Sequence, residues 1–172
     1  MMRTLLSITL LSVGAMAQPV TYNTDFSGTG NVWVIHNMDI QTASPADKVG
    51  CLNKEGRFVS NNSQCGVFTV TGTGYGWMKS SSGGVCTFND PTAEEGRWPR
   101  ALKCTSQGQY FSDLYSVNFT NPYIFVYNGD LNPWYEATKI PGPGESVGVS
   151  RSYKYDFPAN LIGLTLIWNK LS

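Results

Sequence analysis

Charge is scarce in this chain. Only 14% of its 172 residues are Asp, Glu, Lys or Arg, and 12 basic side chains face 12 acidic ones. That balance leaves no electrostatic footprint for nucleic acid or an anionic membrane. Histidine is scarcer still, with His36 alone. Since histidine is the usual base at neutral pH, chemistry built on a pair of imidazoles is excluded. The four cysteines form no C-x-x-C pair, which speaks against zinc. Beyond residue 17 no apolar run is long enough to span a bilayer, and no amphipathic helical stretch of useful length occurs. There is no G-x-S-x-G elbow, and "GTGYGW" (72–77) lacks the third-glycine spacing of a dinucleotide loop. No cofactor and no metal are expected.

What is present begins with a leader. Arg3 supplies a positive start, "LLSITLLSVGAMA" an apolar stretch too short to cross a membrane, and Ala15-Met16-Ala17 a small-x-small cleavage site. Residues 1–17 read as a secretory signal peptide cut before Gln18, and 18–172 as a single secreted β domain. Loss of Arg3 leaves 11 basic against 12 acidic side chains, a formal charge of −1. The mature chain is expected to be soluble, extracellular and monomeric, with no membrane span and no nucleic-acid partner.

Four cysteines in an exported chain imply two disulfides, for which three pairings exist. Cys51–Cys65 and Cys86–Cys104 are favoured, because each closes a short segment between strand candidates. Loops of that size contribute roughly 3 kcal/mol each in the chain-entropy model. Two N-glycosylation sequons occur, at Asn61 and Asn118.

The dominant hydrophobic period is two. In "NVWVIHNMDI" the residues Val32, Val34, His36, Met38 and Ile40 share a face; in "NLIGLTLIWNKL" Ile162, Leu164, Leu166 and Trp168 do. "CGVFTVTG", "GVCTFND", "YFSDLYSVNF" and "PYIFVYNGD" are further strand candidates. Turns fall at Asn53–Gly56, Ser82–Gly84, Asn128–Asp130 and Pro141–Gly144. The expected fold is all-β: a single-domain antiparallel β-barrel or β-sandwich with two disulfides.

Three features compete for chemistry. The stretch "VCTFNDPTAEEGRWPRALKC" (85–104) holds six charged side chains between two cysteines. It is read as a charged surface excursion pinned by Cys86–Cys104, in preference to a cleft of acid, base and anion clamp. His36 is read as a packed residue on an apolar strand face. Tyr123, Phe125 and Tyr127 alternate with Ile124 and Val126, so both faces of that strand are apolar. One face is core. The other is either covered by a second element or forms, with Trp134, an exposed platform for a sugar ring or a protein partner. Secreted guanyl-specific ribonucleases and ribotoxins use a second histidine that this chain lacks.

The stretches "GCLNKEGRFVSNNSQCGVFT", "GVCTFNDP", "GDLNPWYEA" and "LTLIWNKL" resemble the small cysteine-stapled proteins secreted by filamentous ascomycetes. Among these the chain looks most like the hypersensitive-response-inducing protein elicitors of rice-blast and grey-mould type fungi. The resemblance implies a non-enzymatic β-barrel or sandwich. It also implies an apoplastic effector perceived by plant cells, with the four cysteines structural and no catalytic residues. Its expected partners are a plant apoplastic protein or a cell-wall glycan. The alternative is a secreted hydrolase, a ribonuclease-like protein or a glycan-binding protein acting on cell-wall polysaccharide or RNA.

Overall fold

A computed structural model describes residues 20–172, apart from 73–76, 83, 96–99, 106–113, 120, 130 and 154–156. The leader, its cleavage before Gln18, most of 72–77 and Arg97 in the charged stretch lie outside the described residues. So does Thr120 of the second sequon.

The alternating sequences form twelve strands among the described residues: β1 (Gly28–Ile35), β2 (Lys48–Leu52), β3 (Phe58–Val59), β4 (Phe68–Thr71), β5 (Trp77–Ser80), β6 (Val85–Thr87), β7 (Lys103–Thr105), β8 (Leu114–Tyr115), β9 (Tyr127–Asn128), β10 (Trp134–Ala137), β11 (Ser150–Arg151) and β12 (Ile162–Lys170). All pairings between them are antiparallel. Ten form one sheet in the order β11-β10-β12-β1-β4-β5-β6-β7, with β2 and β3 branching from β1. β8 and β9 form a separate pair.

The branch makes the sheet curl. β1 offers one whole edge to β12, with Gly30 opposite Lys170 and Ile35 opposite Thr165. Its other edge is divided: Gly28–Gly30 pair with β4, and Trp33–Ile35 with β2. Two arms therefore leave one strand, and the sheet rolls into a half-barrel. Its ends are drawn together at a seam. Ala101, just before β7, bridges Ser150 of β11, and the Leu102 N–H donates to the Val149 carbonyl at 2.7 Å. Phe58 and Val147 exchange N–H···O bonds of 2.9 and 3.0 Å beside it.

The barrel interior holds Val32, Val34, Leu52, Phe58, Phe68, Met78, Phe88, Tyr135, Leu164, Leu166 and Trp168. A second cluster on the outer face of β1 and β12 gathers Ile35, Tyr115, Val117, Phe125, Tyr127 and Ile167. Both expected disulfides are formed. Cys86 and Cys104 are directly opposed across β6 and β7.

Two expectations need correction. His36 is exposed, not packed. Trp33 and Ile35 keep the alternation and face the second cluster, and β1 ends at Ile35, where its register against β2 slips. The strand stops one residue before it, so the face read from Val32 and Val34 does not reach residue 36. The platform reading of 123–127 fails for Phe125 and Tyr127, which are 3% and 2% exposed. Val126 packs into the barrel, Ile124 packs against that cluster, and Phe125 and Tyr127 join the second cluster. The segment runs along β12, with the Val126 N–H donating to Leu166 and the Trp168 N–H to Ile124. Both of its faces are covered.

Candidate functional site

The seam carries a cleft of about 250 Å³, and the side chains lining it come from distant parts of the sequence. Arg57 follows the turn that joins β2 to β3. In that turn the Asn53 Oδ1 accepts from the N–H groups of Glu55 and Arg57, and Gly56 takes φ +85°. A left-handed turn residue next to a side-chain-capped Asn is what aims Arg57 at the seam. Its guanidinium donates from Nε to Ser146 Oγ at 2.9 Å, from Nη2 to the Ser146 carbonyl at 3.0 Å, and from Nη1 to Glu94 Oε1 at 2.5 Å.

Glu94 belongs to the charged excursion, which is built rather than loose. The Asp90 carboxylate accepts from the Thr92 N–H at 2.8 Å and the Thr92 hydroxyl at 2.6 Å, and Lys103 caps the same threonine. The Ala101 N–H donates to the Glu94 carbonyl at 2.9 Å, and Arg100 donates to the Ala93 carbonyl. The reading of a stapled surface excursion therefore holds for its anchorage, but its tip contributes Glu94 and Glu95 to a cleft. Gly148 makes room there, since a Cβ at that position would meet Glu94 Oε2 at 2.7 Å.

The two disulfide-closed loops are joined. The Cys104 N–H donates to the Glu55 carbonyl at 2.9 Å, and a Cβ on Gly56 would lie 3.1 Å from Cys104 Sγ. Arg57 and Glu94 tie the same two loops at the cleft mouth.

Glu136 completes the lining and was not anticipated. It sits in β10 between Ser150 of β11 and Gly163 of β12, only 2% exposed. Its Oε2 accepts from the Ser152 hydroxyl at 2.7 Å. The only sequence signal was its place in "WYEA", where Tyr135 and Ala137 face the core and a carboxylate alternates with them.

Burial works to raise the Asp90 carboxyl, but hydrogen bonds from Thr92, the Lys103 charge and Thr105 outweigh it and hold it below the usual carboxylate range. A lowered folded value stabilises the fold above the unfolded value of about 3.9 and loses that contribution as pH falls through the folded one. Asp90→Asn is expected to lower the melting temperature at neutral pH, with the gap to wild type closing as pH drops below about 4. A gap of constant size across acid titration would contradict this.

The other anticipated positions are scattered. Tyr123 is exposed and Trp134 half-buried, with its Nε1–H donating to the Met38 carbonyl at 2.8 Å. They do not form one face with the buried Phe125 and Tyr127. Burial, assisted by Tyr115, pushes the Tyr127 phenol up. Asn61 and Asn118 are exposed; Asn61 Oδ1 accepts from the N–H and hydroxyl of Ser63. His36 does not line the cleft. Among the described residues no cluster of His, Cys, Asp and Glu is placed to hold a metal ion, and no helix is long and apolar enough to cross a membrane.

No family model, curated protein or solved structure matches this chain.

Proposed function

We propose that this protein is an exported effector of the elicitor kind, which acts on a plant host by binding and not by catalysis, and that the seam cleft is its binding face. One observation supports this most: two loops, each closed by its own disulfide, meet at the cleft through Glu55–Cys104 and Arg57–Glu94. Loops fixed by covalent closure present contacts with little ordering cost, which favours recognition. The Arg57 fork is occupied by Ser146 and Glu94, so it is not poised to clamp a substrate anion.

A second reading, hydrolysis of cell-wall polysaccharide, draws on the presence of Glu94, Glu95 and Glu136 in one cleft. Paired carboxylates are the machinery of glycoside cleavage.

The test is infiltration of purified protein into leaves. The native form should elicit local cell death and the reduced, alkylated form should not. The folded variants Arg57→Ala and Glu94→Gln/Glu95→Gln should lose most of the response. Exchange of the exposed Glu94 and Glu95 should shift stability by less than about 0.5 kcal/mol, whereas Arg57→Ala also gives up its bonds to Ser146 and lowers the melting temperature. Full response from both folded variants would remove the cleft from the binding face. Release of reducing sugar by wild type, abolished in Glu136→Gln, would establish the hydrolase instead.

A further inference from the structure

Resting on the binding reading above, we infer that the seam cleft receives a lysine side chain projecting from a partner protein. The charge within the cleft is one-sided. Among the described residues lining it, Glu94, Glu95 and Glu136 face one cation, Arg57, whose donors are already directed at Ser146 and Glu94. Glu136 is the decisive group. It is 98% buried by its 2% exposure, one carboxylate oxygen takes the Ser152 hydroxyl, and no hydrogen bond to its other oxygen is found among the described residues. A carboxylate held that deep with half its acceptor capacity open is stabilised by a cation brought to it.

The shape selects which cation. Ala101, Ala137, Val147 and Leu161 give apolar walls, suited to a methylene stem with its charged head beyond. The volume of about 250 Å³ falls below the roughly 300–1,000 Å³ typical of sites that engulf a whole small molecule. It suits one long side chain. Among the described residues lining the cleft none is aromatic, and these offer a sugar ring no stacking surface. Because no carboxylate cluster among the described residues is arranged for a metal ion, an organic cation is the better fit. The fixed loops on either side would hold the partner backbone over the mouth.

The experiment is an NMR titration of the ¹⁵N-labelled, disulfide-intact protein with three probes: a capped pentapeptide with one central lysine, the same peptide with Nε-acetyllysine, and a glucosamine hexamer. The lysine peptide should shift the amides of Ala137, Val147 and Gly148. Acetylation should weaken binding by about tenfold or more, near 1.4 kcal/mol. Glu136→Gln should do the same, and Glu95→Gln, at an exposed position, should weaken binding without touching the fold. No cleft shifts at the highest soluble peptide concentration would overturn the inference. So would equal binding of the acetylated peptide, or tighter binding of the glucosamine hexamer. The leaf assay separates the two claims: peptide binding with full response from folded Arg57→Ala leaves the lysine site standing and removes its role in the host. Loss of response in Arg57→Ala without lysine binding does the reverse.

Discussion

Replacing Phe58 by alanine should cost about 3–5 kcal/mol, the largest loss expected of any single side-chain truncation discussed here. Phe58 is fully buried in the barrel cluster, and its ring fills the space over Gly50, where a Cβ would meet Cε2 at 2.7 Å. Gly50 is itself pressed against the Val59 carbonyl, so the backbone there has no room to collapse into the vacated volume. A cavity that cannot relax is the expensive kind. The same residue exchanges hydrogen bonds with Val147 at the seam, so the loss should spread to the cleft. Urea unfolding is the measurement, with the midpoint lowered and the slope unchanged. A loss below about 1.5 kcal/mol would mean that the site repacks like a conservative core exchange.

Converting Cys86 and Cys104 together to alanine is expected to remove roughly 2–5 kcal/mol. For a domain of this size that is on the order of 5–15 °C in melting temperature. The bond spans 18 residues and joins directly opposed positions of β6 and β7. Its removal frees the charged excursion from the strand pair and loosens the contact of Cys104 with Glu55. Thermal melts followed by circular dichroism, native against the double variant, decide it. A shift of a degree or two would show that the strand pair and the Asp90–Thr92–Lys103 contacts hold the excursion unaided.

Local patterning was legible. The alternation of Leu164, Leu166 and Trp168 gave the central strand, the turn at Asn53–Gly56 gave the β2–β3 hairpin, and short spacings gave both disulfides. What sequence period could not register was pairing at a distance. Where β1 stops is set by its partners, and it stops at Ile35, one residue short of His36. Phe125 and Tyr127 are covered because Tyr115 of β8 and Ile167 of β12 lie against them, and neither strand is adjacent to them in sequence. The cleft is the extreme case. Residues 57, 94, 136 and 148 meet only when the sheet ends close at the seam. An isolated Glu136 amid aromatic neighbours looks like an ordinary outward strand residue until Ser152 is placed beside it.

The partnership of β1 with β12 also makes the central ladder a long-range closure of the chain. Gly30 must find Lys170 before the central ladder exists, while Cys51–Cys65 and Cys86–Cys104 close loops of 14 and 18 residues. Short closures are entropically cheap, and long-range strand pairing is slow. β12 is the strand through which the N-terminal arm on β1 and the C-terminal arm on β10 become one sheet.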